Sequence, residues 1–170
     1  MIRESLLNSI DALAGRYGPG RDAMLPILQG LQKEYGWLGM EIINEVARRF
    51  SLSQTEVFSV ASFYHFLDTT KRGRYVIRIC RSISCALADP ENLLTRSGST
   101  KGRILRALEA ELGIEMGGTT HDGLYTLDWA NCMGMCDRGP AMMVNDDLYA
   151  ELTPSKAVDI VRSYRCCDSI

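Results

Sequence analysis

The apolar positions of this chain follow two different periods, and the first third is helical throughout. From Glu4 to Arg16, Leu6, Leu7, Ile10, Leu13 and Ala14 share one helix face, and Gly15, Gly18, Pro19 and Gly20 end the pattern. Met24, Ile27, Leu28, Leu31 and Tyr35 make a second stripe, closed by Gly36 and Gly39. Its Pro26 falls in the opening turn, where a missing amide hydrogen costs little. Ile42, Ile43, Val46, Ala47 and Phe50 form a third stripe. Ser53-Gln54-Thr55-Glu56 reads as a capping box, in which a hydroxyl and a carboxylate satisfy free amides at a helix start. The helix it opens carries Val57, Val60, Ala61 and Tyr64. Four short helices with short connections predict a bundle or arm.

Asp68 to Arg74 is polar, contains a glycine and has no apolar period, so a domain boundary is expected there, dividing residues 1–70 from 71–170. Tyr75 to Ile79 then reads as a strand running into Cys80. A helical pattern follows Cys85 (Leu87, Leu93, Leu94), with a polar stretch after it from Arg96 to Gly102. Ile104, Leu105, Leu108 and Leu112 predict a helix capped by Gly113, and Leu124 to Ala130 predicts a strand running into Cys132. Ala141 to Val144 and Leu148 to Glu151 flank Asn145-Asp146-Asp147 as a hairpin. Thr153-Pro154 opens a last helix with Ala157, Val158, Ile160, Val161 and Tyr164. The expected class is α/β (α+β): an N-terminal helical bundle followed by a small layer of thioredoxin-like type.

Composition narrows the function more than the fold. The 170 residues, 46% of them hydrophobic, are enough for a core, and 19 basic against 21 acidic residues leave a formal charge of -2. That balance carries no electrostatic footprint for nucleic acid or an anionic membrane. Arg3, Glu4, Asp11 and Arg16 interrupt any signal-peptide core, and no later stretch reaches the apolar length of a membrane span. A cytoplasmic location without direct membrane insertion is the expectation. Six cysteines in a reducing compartment point to metal or redox work rather than a disulfide framework.

Four of the six form two close pairs, Cys80-x4-Cys85 and Cys132-x3-Cys136, each just after a predicted strand. Four thiolates on loops at one end of a small sheet suit a tetrahedral zinc or an iron–sulfur cluster. Zinc ribbons more often use tighter knuckles in tiny domains without another core, whereas this half has apolar residues enough to fold without metal, which favours iron and sulfur. A thioredoxin-type dithiol needs two sulfurs across one helix turn, and neither pair has that spacing. His65 and His121, the two histidines, lie in no ligand pattern with the cysteines. No dinucleotide fingerprint, phosphate-binding loop or nucleophile elbow is present.

The cysteine spacing, with Gly134 inside the second pair, resembles the thioredoxin-like [2Fe-2S] ferredoxin subunit of NADH-linked flavoprotein complexes. That family includes respiratory complex I and relatives in NAD-reducing and electron-bifurcating hydrogenases and formate dehydrogenases. Leu25 to Gln29, Tyr35 to Leu38, Glu56 to Tyr64, Met143 to Tyr149 and Leu152 to Pro154 fall where the family has similar runs, in the same order. The stretch Asn131 to Ala141 resembles soluble hydrogenase-type relatives more than complex I. The resemblance implies that Cys80, Cys85, Cys132 and Cys136 ligate one [2Fe-2S] cluster. It also implies an electron carrier without a substrate site of its own, docked on a larger subunit that holds FMN and NAD(H), with further iron–sulfur or catalytic subunits in the complex. Residues 1–70 are expected to be the docking arm, because a ferredoxin-like cluster domain needs no extra helical bundle to hold its cluster. The competing readings are a zinc-stabilised adaptor and a free-standing ferredoxin.

Arg81 and Arg138, each beside a ligand, are candidates for tuning such a cluster, or else surface or docking charges. Gly134 would let the loop turn closely, and Met133 and Met135 would fill core gaps or line a partner surface. Cys166 and Cys167, adjacent and near the tail, are read as without function. His65, Trp37 and Trp129 are read as packing or surface residues.

Overall fold

The helical stripes fold as α1 (Ile2–Tyr17), α2 (Met24–Tyr35), α3 (Met40–Arg49) and α4 (Gln54–Phe63), with one 3-10 turn, Arg21–Ala23, before α2. In this computed structural model, which describes residues 2–88 and 102–167, the chain divides into two compact units, Met1–Arg72 and Gly73–Ile170. The core of the first is built from the residues of the stripes, among them Ile10, Ile27, Leu28, Leu31, Ile43, Val46, Val57 and Ala61. Gly15 does not end α1, which runs on to Tyr17; the left-handed residue is Gly18, at φ 100°. Gly36 caps α2 at φ 84°, but Gly39 is extended and serves as the N-cap of α3. The capping box is present: Glu56 N donates to Ser53 Oγ at 3.2 Å and Ser53 N to Glu56 Oε2 at 3.0 Å. The Ser53 amide first, and then the Ser53 hydroxyl, which donates to Glu56 Oε2 at 3.0 Å, hold the Glu56 carboxyl below its ordinary range.

The second unit is a mixed sheet with helices. Strands β1 (Tyr75–Cys80), β2 (Tyr125–Ala130), β3 (Met142–Val144) and β4 (Asp147–Tyr149) lie in the order β2-β1-β3-β4. The remaining helices among the described residues are α5 (Ile83–Ala88), α6 (Arg103–Leu112) and α7 (Pro154–Cys167). Strands β1 and β2 are parallel, from Tyr75 opposite Tyr125 to Cys80 opposite Ala130, while β3 runs antiparallel to β1 and β4 to β3. Alternation sends Ile77, Ile79, Tyr125 and Leu127 into one core with Leu105 and Leu108 of α6 and Ala157 and Val161 of α7. β1 is buried at nearly every position, as a central strand should be. Gly73 is where the chain enters this sheet, and a Cβ there would stand 2.6 Å from the Tyr125 backbone, so only glycine allows the approach.

Three local expectations shift. The hairpin turn is Asn145-Asp146 alone, because Asn145 takes φ 52° and its Oδ1 accepts the Val76 amide at 2.9 Å, which leaves Asp147 to pair with Val144. Cys80 is the last residue of β1, because its amide finds the Ala141 carbonyl at 3.0 Å. Cys85 lies inside α5, which starts before it at Ile83, so only Cys132 and Cys136 stand on a loop. Leu93, Leu94 and the polar stretch from Arg96 lie outside the described residues.

Candidate metal centre

The parallel register of β1 and β2 delivers both cysteine pairs to the same end of the sheet. Cys80 sits opposite Ala130, two residues before Cys132. Past the paired residues, the Arg81 amide adds one further rung to the Ala130 carbonyl at 2.8 Å. The first pair is part of the folded core: Cys80 and Cys85 are each 1% exposed and pack with Ile79, Leu108 and Ala141. The second pair is exposed, and its sulfurs stand 3.6 Å apart. Gly134, at φ 79°, turns the loop so that its amide points to Cys132 Sγ at 3.5 Å.

The hydrogen bonds around the thiols are those a thiolate would accept. Ser82 Oγ lies 3.2 Å from Cys80 Sγ. Burial alone would raise the Cys80 thiol, yet its net direction is downward, because the Ser82 hydroxyl and amide, Cys85 and the Met133 amide favour the thiolate. Burial, reinforced by its neighbour Cys80, pushes the Cys85 thiol up against the Ser82 hydroxyl. Cys132, as hydrogen-bonded neighbour and as charge, raises the Cys136 thiol, while the Ser84 hydroxyl opposes it and Cys80 adds a further upward push. One proton of the Cys80 and Cys85 pair is therefore lost more readily than the other. Ser84 and Cys80, on the first segment, lie near enough to act on Cys136, in keeping with the arrival of both pairs at one end of the sheet.

All four are free thiols. A tetrahedral metal with metal–sulfur bonds of about 2.3 Å holds two of its sulfurs about 3.8 Å apart, close to the 3.6 Å between Cys132 and Cys136. Among the described residues, no three or more His, Cys, Asp or Glu side chains converge as a single-ion site; the thiols stand as pairs. A two-iron group takes two protein sulfurs on each iron, so paired donors on facing segments fit it.

Other residues singled out in the sequence fall into ordinary roles or new ones. Arg138 pairs with Glu151 at 3.4 Å, and Arg81 Nε donates to Asn131 Oδ1 at 2.9 Å. Met133, Met135 and Trp129 are half-buried against the sheet core, and Trp37 lies over Gly39. The backbones of Cys166 and Cys167 end α7. Ser82, Ser84 and Asn131 were not singled out. The only signal for the serines is that they alternate inside the first cysteine interval, and nothing local marks Asn131.

A mixed sheet presenting paired thiols at one end defines a thiolate metal or cluster protein, and comparison with known proteins narrows the class. The thioredoxin-like [2Fe-2S] ferredoxin family matches residues 10–165. A subunit of the NADH-quinone oxidoreductase of Rhizobium meliloti (strain 1021) is 33% identical over 166 residues, 98% of this chain and 92% of the relative. A subunit of the Escherichia coli (strain K12) NADH-quinone oxidoreductase is 34% identical over 149 residues, 88% of this chain and 83% of the relative. Subunit 2 of the Thermus thermophilus NADH-quinone oxidoreductase is 37% identical over 131 residues, 77% of this chain and 66% of the relative. Among solved structures, an NAD+-reducing [NiFe]-hydrogenase in the air-oxidized state superposes with a TM-score of 0.66 over 82% of this chain and 22% of the hydrogenase chain. At 24% identity that likeness is one of fold. The chain belongs to the thioredoxin-like [2Fe-2S] ferredoxin family. The fold class expected from the sequence and the [2Fe-2S] cluster implied by the resemblance are thus the family's own. No helix among the described residues is long and apolar enough to cross a membrane.

Proposed function

We propose that this chain is an electron-transfer subunit of an NAD(H)-dependent flavoprotein oxidoreductase complex, and that Cys80, Cys85, Cys132 and Cys136 hold its [2Fe-2S] cluster. The observation that carries the reading is the arrival of both thiol pairs at the shared end of β1 and β2, in a chain of this family. When bound, the cluster accepts and releases one electron at a time. The protein supplies the surroundings. Cys80 and Cys85 anchor one side in an apolar core, where burial favours the less charged state, and hydrogen bonds from Ser82 and the Gly134 amide stabilise negative charge on sulfur.

The relatives named as NADH-quinone oxidoreductase subunits, and the hydrogenase of similar fold, favour a place in such a complex. Catalysis then belongs to the complex and this chain is a carrier. Its direct partner is a larger subunit binding FMN and NAD(H), with further iron–sulfur or catalytic subunits beyond. Residues 1–70 are the docking domain and residues 71–170 the ferredoxin domain. Exposed Phe58, Phe63, Tyr64 and Phe66 on and after α4 support the docking role, since large aromatic side chains are enriched at interfaces.

The test is Cys80→Ser and Cys132→Ser, each followed by iron and sulfide analysis, visible absorption, and EPR before and after dithionite. Loss of cluster iron and of the reduced signal is expected in both; an unchanged spectrum would overturn the ligand assignment. Stoichiometric zinc after anaerobic reconstitution would replace the carrier with a zinc-stabilised adaptor. Purification as a monomer that reduces several partners would replace the subunit with a free-standing ferredoxin.

A further inference from the structure

Both ligand segments leave the sheet immediately after their strands, where the ladder can no longer set their separation. Cys80 ends β1 and Ala130 ends β2, opposite one another. The next residue on each side is Arg81 and Asn131, each adjacent in sequence to one cysteine of a different pair. These two residues are joined. Arg81 Nε donates to Asn131 Oδ1 at 2.9 Å, one step beyond the rung from the Arg81 amide to the Ala130 carbonyl at 2.8 Å. A weaker contact runs beside them from Cys80 Sγ to the Asn131 carbonyl at 3.8 Å.

From this geometry we infer that Arg81 and Asn131 form a clasp that sets the spacing of the two thiol pairs; the inference rests on the ligand assignment above. Arg81 and Asn131 are positioning residues. Their side chains are exposed, so water competes for the bond, but the bond acts where one strand pair splits into two ligand segments. It acts beside the Ala130 rung, the contact to sulfur and the packing of Met133 and Met135 on the sheet core, which also tie the Cys132 and Cys136 loop to the Cys80 and Cys85 side. Asn131→Ala removes the bond and leaves the Arg81 charge in place, which distinguishes a spacing effect from a charge effect. Arg81→Lys keeps the positive charge and removes the Nε donor, while Asn131→Asp keeps an acceptor oxygen where Asn131→Ala removes it.

The experiment measures iron release from the holo-protein to a ferrous chelator after reduction, together with the EPR anisotropy of the reduced state. Amide hydrogen exchange at Arg81 is followed in the apo-chain. Asn131→Ala and Arg81→Lys should each release iron about 2- to 10-fold faster, the factor that corresponds to one lost hydrogen bond. Each should alter the EPR anisotropy and speed exchange of the Arg81 amide. Asn131→Asp should stay near the parent rate, and the double variant should be no worse than the poorer single one, because both changes break the same bond. Wild-type release and exchange in Asn131→Ala, with Cys80→Ser having lost its cluster, would overturn the clasp and leave the ligand assignment standing. A parent-like Arg81→Lys beside a faster Arg81→Ala would overturn it in favour of charge. Retention of the full cluster in Cys80→Ser would remove the ligand assignment and the clasp with it.

Discussion

The two thiol pairs offer the same chemistry from opposite structural settings. Cys80 and Cys85 belong to regular elements and to the same buried cluster as Leu108 and Ala141, whereas Cys132 and Cys136 hang on an exposed loop turned by Gly134. The buried pair is positioned by everything that holds the sheet together. The exposed pair is positioned by a left-handed glycine, an amide contact to sulfur, the Arg81 bond to the residue before it and the half-buried Met133 and Met135. Removing a member of the first pair should therefore harm the fold and the ligation together. Removing one from the second should harm ligation alone.

The largest expected effect tests whether the first pair shares the core. Leu108→Ala, under the same sheet, should lower the unfolding free energy by about 2–5 kcal/mol, and denaturant titration would measure it; a much smaller loss would mean that this core does not support the site. Next come the cysteines in the apo-protein. Cys80→Ser or Cys85→Ser exchanges a buried sulfur for a smaller, more polar hydroxyl in the core and should cost about 1–3 kcal/mol, whereas Cys132→Ser and Cys136→Ser should stay within about 0.5 kcal/mol. Equal costs at all four would break the comparison.

A smaller effect is a pH dependence within the exposed pair. The Cys136 thiol is raised by Cys132, so its proton is held more tightly in the folded chain than in the unfolded one. Any stabilisation from that proton is complete below the ordinary thiol range and is lost as pH rises through the raised value. Since the thiolate is the nucleophile, alkylation of Cys136 in the folded apo-chain, followed by peptide mass spectrometry, should still be climbing where an unfolded control has levelled off. Coincident profiles would refute the shift. Ser82→Ala removes a hydrogen bond at Cys80 Sγ and should make the holo-protein's reduction potential more negative, read by EPR-monitored titration. Smallest is Ser53→Ala, a change in the other unit, which should cost about 1 kcal/mol of stability and leave that potential unchanged.

How much could be read without the structure depended on the range of the interactions. The stripes of α1 to α4 and the Ser53 to Glu56 box were legible because a helix and its cap are set by residues three and four apart. Strands β1 and β2 showed as β-branched and aromatic runs, and the cysteine spacing carried the donor chemistry and the family resemblance. Gly39 was misread as the end of one helix rather than the start of the next, since both roles suit a glycine and only the backbone angles distinguish them.

The chain's own order of residues determined that four thiols would come in two pairs of fixed spacing, because that is covalent. Tertiary structure decided the rest. Parallel pairing of strands some fifty residues apart brought the pairs together. The Ala141 carbonyl drew Cys80 into β1, and packing against α6 and α7 buried the first pair while the second stayed in water. Asn131 became a partner for Arg81 for the same reason: the bond spans 50 positions of sequence, and no local pattern encodes a contact that exists only once two distant strands lie side by side.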